Sequence, residues 1–264
     1  MNSMPRHRFN WRTFLPPGIR NIVLACTFVY LMQTVLGIFG GPAASFRFIE
    51  WFGLVPRAVT HGLRLWQPFT YLFLHGGLWH LLINMLVLWM FGADLERAWG
   101  TRRFYTYYFL TGVGAGLIDV VVKTILDPHG VGTFLLGTKI SSWTPTIGAS
   151  GAIFGVLLAT AMIFPDRQVW LIPFPVTIPM RMYVVVMGGI EFFSTLGASG
   201  DNVSHVCHLG GMLVGYFYLR RGSYLFGVRN RYSDWRRRNL RRRFDVYQAR
   251  HRDDPPSNPS KWTN

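Results

Sequence analysis

The chain has 264 residues, half of them apolar and 16% aromatic but only 15% charged, against about a quarter charged in ordinary soluble domains. That balance excludes a typical water-soluble enzyme. The 27 Lys and Arg outnumber the 12 Asp and Glu and give a net charge of +15, yet they gather at the two ends and in two short connections, so no nucleic-acid partner is expected.

The basic stretch 1–17 reads as a cytoplasmic N-terminal tail. Residues 18–220 read as an all-α polytopic membrane domain, because their apolar runs can cross a hydrocarbon core of about 30 Å at about 20 residues per helix. Six spans are expected: residues 18–39, 74–93, 104–125, 149–165, 182–197 and 204–220. The first lacks a small-residue cleavage site, so it reads as a transmembrane helix, not a removed signal. The last three are short and carry Gly, Ser and His, which suits the interior of a bundle better than a lipid-facing surface.

The first outer connection, residues 40–73, is aromatic (Phe46, Phe48, Trp51, Phe52, Trp66 and Phe69) but broken by Pro42, Pro56 and Pro68. It is expected to lie in the membrane interface. The Arg-rich residues 221–264 read as a cytoplasmic tail, either solvated or carrying an interfacial helix with Leu240, Phe244 and Tyr247 on one face against anionic lipid. With six spans both ends share a side. Twenty-two of the 27 Lys and Arg fall in the two tails and the two connections on that side, and five on the other, so the positive-inside rule makes both termini cytoplasmic. An inner (cytoplasmic) cell membrane is the expected location.

Cys26 and Cys207 sit in or beside apolar runs and read as small hydrophobes, with no disulfide, metal site or cofactor implied. The chemistry-bearing residues open the even-numbered spans. Ser150 lies in Gly148-Ala149-Ser150-Gly151, and Gly151, Gly155 and Ala159 form a small-xxx-small stripe that lets helices approach closely. Serine among glycines is more often packing than nucleophile unless a base lies near. His208 is such a base, with Gly211 and Gly215 on its own face. His80 and Asn84, four residues apart, share a face of the second span, with His75 at its start. They read either as donors for an oxyanion or as interhelical hydrogen-bonding groups.

His80, Ser150 and His208 each fall within about two turns of the outer end of an inward-running helix, hence at one shallow depth. Ser199, in a second Gly-Ala-Ser-Gly copy at 197–200, reads as a loop residue. Asp119 and Glu191 read as interhelical hydrogen-bonding groups or, less simply, as a third catalytic member or part of a proton path. Glu96 is expected to pair with nearby backbone or with Arg97, Arg102 or Arg103. His205, one turn before His208, competes for the role of base.

The segments GASGAIFG (148–155), HLGGMLVG (208–215), HLLIN (80–84) and FGADLERAWG (91–100) together resemble the rhomboid intramembrane serine proteases over residues 56–219. The resemblance implies Ser150 as nucleophile and His208 as general base in a dyad without a carboxylate third member. It also implies an oxyanion hole of His80, Asn84 and the Ser150 N–H, and Phe154 packed beside His208. Transmembrane segments of other proteins would be the substrates. Trp66-Gln67 departs from the Trp-Arg of some relatives and leaves the anchoring of the first outer loop open. The rival expectations are a catalytically inactive relative that binds and sorts transmembrane clients, and a transporter whose histidines relay protons.

Overall fold

The computed structural model describes residues 15–135, 138–171, 176–196 and 205–221, all within one compact unit, Met1–Ser223. Ser199, Leu240, Phe244 and Tyr247 lie outside the described residues. The chain is mostly helical: α1 (Pro17–Phe52), two short helices α2 (Pro56–Thr60) and α3 (Gln67–Thr70), then α4 (Leu78–Trp99), α5 (Thr101–Leu126), α6 (Ser150–Ile163), α7 (Met180–Leu196) and α8 (His205–Arg221). Three of these, α1, α4 and α5, are long and apolar enough to cross a membrane, while α6 is a shorter apolar helix. Side chains such as Leu24, Phe28, Phe39, Trp79, Ile125 and Phe193 point outward from the bundle, an apolar exterior that suits lipid.

Several boundaries differ from the sequence expectation. Helical structure continues past residue 39 to Phe52, interrupted where Gly41 takes φ +75° ahead of Pro42. A glycine tolerates that dihedral and a proline cannot continue the hydrogen-bond ladder, so the run bends there without ending. His75 precedes α4, and α4 itself runs on to Trp99. The fold is also not purely helical. Two small antiparallel ladders, β1 (Thr133–Leu135) with β2 (Thr138–Ile140) and β3 (Gln168–Trp170) with β4 (Thr177–Pro179), close the α5–α6 and α6–α7 connections. Both are too short to announce themselves in the residue pattern.

The core is built around α6, where eleven of fourteen residues are buried and which packs on α4, α5 and α8. Glycine makes that packing possible. A Cβ at Gly211 would collide with the Gly151 carbonyl, and one at Gly155 would lie 2.8 Å from Thr111 Cβ, so α8 approaches α6 nearly backbone to backbone and α5 lays a side chain directly on the α6 backbone. The Tyr107 hydroxyl donates to the Gly155 carbonyl at 2.8 Å, satisfying a buried polar group at the same contact.

Buried polar side chains tie the ends of the helices together. Glu96 accepts the N–H groups of Gly18 and Ile19 at 2.7 and 2.9 Å and the Thr101 hydroxyl at 2.7 Å. A carboxylate thus caps the first turn of α1, where backbone donors lack partners and the helix dipole favours negative charge. Its partners are backbone groups and a hydroxyl, the first of the two alternatives read from sequence. Asp94 pairs with Arg97 at 2.6 Å and with Arg167, joining α4 to the α6–α7 connection. In the first outer loop Gln67 is fully buried; its Oε1 accepts the Val55 N–H at 3.0 Å and its Nε2 donates to the Glu50 carbonyl at 2.8 Å. Trp66 donates to the Trp51 carbonyl and stacks on the Trp51 ring. The Trp66-Gln67 pair therefore anchors this loop together with Arg64 and Thr70, which donate to the Glu50 and Phe52 carbonyls at 3.1 and 2.6 Å.

Candidate active site

The site forms where α4, α6 and α8 begin. His80 is the third residue of α4, Ser150 the first of α6 and His208 the fourth of α8, so three helix N-terminal turns meet. Ser150 is held there by the segment before it. The Leu54 and Thr146 backbones bond to each other in both directions, at 2.9 and 2.8 Å. The Thr146 hydroxyl donates to Asp119 Oδ2 at 2.8 Å, and Lys123 pairs with Asp119 at 3.0 Å. The Gly148 N–H then donates to the Tyr71 carbonyl at 2.9 Å. Asp119 thus serves the strand-like approach to Ser150, engaged with Thr146 and Lys123.

Ser150 Oγ lies 2.8 Å from His208 Nε2. At that distance a hydroxyl can pass its proton to an imidazole as it attacks a carbonyl. Ser150 is half-buried and His208 buried, and Phe154, one turn along α6, stacks on the His208 ring at 4.4 Å between centroids and 12° between planes. The imidazole is therefore fixed by a hydrogen bond at its edge and an aromatic ring on its face.

His80 supplies a donor by its tautomer. Its Nδ1 accepts the Gly76 N–H at 3.3 Å, so the ring proton belongs on Nε2. Gly148 takes φ +122°, and the space its missing Cβ would occupy is 2.9 Å from His80 Nε2 and 3.8 Å from Ser150 Oγ. Glycine leaves open the gap between hydroxyl and donor. Asn84 is buried and its Nδ2 has no hydrogen-bond partner among the described residues; a buried unpaired amide donor is costly and marks a place where an acceptor belongs. The Ser150 N–H opens α6, where the first four backbone donors have no partner within the helix. His75 is fully buried, packs edge-on to His80 at 5.1 Å, and receives the Gln33 amide on its carbonyl. It supports the His80 ring from behind and ties it to α1.

Two placements decide between alternatives that the sequence left open. Glu191 of α7 places Oε2 2.9 Å from His208 Nδ1 and 2.6 Å from His205 Nδ1, whereas a pair without any carboxylate was expected. His205 faces Glu191, and it is His208 that meets Ser150. Neither contact has a motif behind it; the only available signal is the three-residue spacing of His205 and His208, which puts both rings on one face of α8. The donor atoms of Glu191, His205 and His208 lie within 4.8 Å of one another and so could chelate a metal. Around zinc, bonds of about 2.0–2.1 Å set tetrahedral donors about 3.3 Å apart. Both contacts to Oε2 are shorter than that; the one to His205 is a hydrogen bond, and the one to His208 Nδ1 is a close contact without hydrogen-bond alignment.

The comparisons with known proteins agree on one family. Residues 62–224 match the model of the Rhomboid domain. The chain is 29% identical over 147 residues to "Rhomboid protein 1, mitochondrial" of Saccharomyces cerevisiae, covering 55% of this chain and 38% of that protein. It is 28% identical over 188 residues to "Rhomboid protease GluP" of Bacillus subtilis, covering 71% of this chain and 32% of that one. It is 25% identical over 222 residues to "Rhomboid-like protease 3" of Toxoplasma gondii, covering 81% and 75%. The chain spans about a third to two fifths of the length of the first two. With the family model matching well over half of the sequence around these meeting helix ends, the chain belongs to the rhomboid family of membrane proteins.

Proposed function

We propose that the chain is an intramembrane serine endopeptidase that hydrolyses peptide bonds in or near transmembrane segments of other membrane proteins. The observation that carries the reading is the 2.8 Å contact between Ser150 Oγ and His208 Nε2, contributed by two separate helices. Ser150 attacks the scissile carbonyl while its proton passes to His208. The oxyanion of the tetrahedral intermediate is held by the Ser150 N–H, His80 Nε2–H and the Asn84 amide. His208 then gives the proton to the leaving amine, and water releases the acyl group from Ser150 by the same steps in reverse order of partners. Gly151 and Gly211 support the site by close backbone approach, Gly148 and Gly215 by leaving room for the His80 ring and the Tyr107 hydroxyl, and Phe154 and His75 by packing against the two imidazoles.

In this reading α1, α4, α5, α6, α7 and α8 are the six spans, 18–220 is the membrane domain, and both tails, 1–17 and 221–264, face the cytoplasm across an inner membrane, with anionic lipid as the partner of the Arg-rich tail. The α6 helix of fourteen residues is only about 21 Å long at about 1.5 Å per residue, short of the ~30 Å hydrocarbon core. A helix that reaches the inner surface therefore starts below the outer one. That offset leaves room for polar loops and water above Ser150. Because a helical substrate keeps its carbonyls in its own hydrogen bonds, segments with helix-breaking residues are the preferred substrates.

The test is cleavage of a model single-span substrate by the purified, reconstituted chain. Wild type and Ser199→Ala are expected to cleave and Ser150→Ala to lose activity. Cleavage by Ser150→Ala at the wild-type rate refutes the assignment. Binding of single-span clients without cleavage by any form, across a broad substrate panel, favours a sorting protein instead.

A further inference from the structure

We infer that Glu191 is a positioning residue for the base, converting the Ser150–His208 pair into a three-member relay with its carboxylate on a neighbouring helix. The inference rests on the peptidase reading above and deepens it. The order of atoms is Ser150 Oγ, His208 Nε2, His208 Nδ1 and Glu191 Oε2, with separations of 2.8 Å at one ring nitrogen and 2.9 Å at the other. The Glu191 and His208 side chains are only 9% and 10% exposed, so little water competes for either.

The chemistry follows from the imidazole. A neutral ring carries one N–H, and Nε2 can take a proton from Ser150 only when that N–H is at Nδ1. A carboxylate at Nδ1 favours this tautomer and stabilises the imidazolium that forms during attack, without itself taking up the proton. In the resting arrangement the contact is close but not aligned: His208 Nδ1 makes no hydrogen bond of ordinary angle. Resting-state contacts of this kind commonly straighten when substrate is bound.

Other groups bear on the same ring. Ser150 and Phe154 face it from α6, His80 from α4 lies across the gap at Gly148 from Ser150, and His205 on α8 shares the Glu191 oxygen at 2.6 Å. His205 therefore draws on the same carboxylate and holds it against α8. The alternative use of this trio, as a metal site, makes a different prediction about chelators.

The experiment measures kcat and KM separately between pH 5 and 9 for the full chain in lipid, as wild type, Glu191→Gln, Glu191→Asp, His205→Ala and Ser150→Ala. Glu191→Gln is expected to lower kcat about 100-fold with KM within twofold, and to move the acid limb of the profile to lower pH, because an imidazolium without its carboxylate loses its proton more easily. Glu191→Asp is expected to recover at least tenfold of that loss, and His205→Ala, which frees the carboxylate, to lower kcat less than Glu191→Gln does. A wild-type kcat and pH profile for Glu191→Gln overturns the inference, as does activation of the wild type by EDTA, which would make the trio a metal site.

Retained cleavage by Ser150→Ala overturns the peptidase reading itself, whatever Glu191 does. Nitrogen-15 shifts of His208 in the full chain decide the matter where a variant fails to fold or nothing is cleaved. A proton on Nδ1 in the wild type supports the inference, and one on Nε2 overturns it.

Discussion

At the scale of single residues the site depends on donors held ready without partners. Asn84 is buried with an unpaired Nδ2, and the Gly76 N–H forces His80 to present its proton from Nε2. Such preorganised donors are worth most where charge develops, so Asn84→Ala is expected to reduce kcat by about 100-fold or more while leaving KM and folding nearly unchanged, measured by steady-state cleavage in proteoliposomes. A rise in KM alone would make Asn84 a substrate-binding group. Most of these residues were legible before the fold was known, because Ser150, His80, Asn84 and His208 recur at helix starts with small residues around them. Glu191 was not, since a lone glutamate in an apolar run looks the same whether it bonds a backbone, a serine or an imidazole. Only the rotation of α7 about its own axis decides which, and that depends on packing contacts with no local signature.

At the scale of elements, close approach governs. The glycines of α6 and α8 were readable as a stripe, but which pair actually touches was not. The contact falls between Gly211 and the Gly151 backbone, and Gly155 instead serves α5 through Thr111. By contrast Gly189 on α7 has nothing within 4 Å of the position of an added Cβ. Gly211→Ala is therefore expected to push α8 off α6, lowering both the midpoint of thermal unfolding and cleavage. Gly189→Ala is expected to be neutral or to stabilise by up to about 1 kcal/mol through helix propensity. Equal thermal midpoints for the two variants would contradict the packing described here. The kink at Gly41 and the two β-ladders escaped the hydropathy pattern for a related reason. Two helical stretches of α1 meet across Gly41, so helix resumes beyond a residue that looks like a terminator, and ladders of three residues a strand are too short for periodicity to register.

At the scale of the whole molecule the charge distribution in the sequence predicts an orientation. In the proposed topology five Lys and Arg fall on the side of the first outer loop against twenty-two on the other, so Thr60 and Arg102, both exposed, are expected on opposite faces of the membrane. The native Cys26 and Cys207 are buried, so cysteines introduced as Thr60→Cys and Arg102→Cys can be labelled with an impermeant maleimide in intact cells. Labelling of Thr60→Cys alone is expected; labelling of Arg102→Cys alone would invert the topology.

The most direct measurement is the intact mass of the full chain after reaction with a fluorophosphonate, which phosphonylates only a serine made nucleophilic by a nearby base. The account predicts one adduct, mapped by peptide sequencing to Ser150, at a rate reduced at least 100-fold in His208→Ala. No adduct on wild type, an adduct on another serine, or equal labelling of His208→Ala would contradict it.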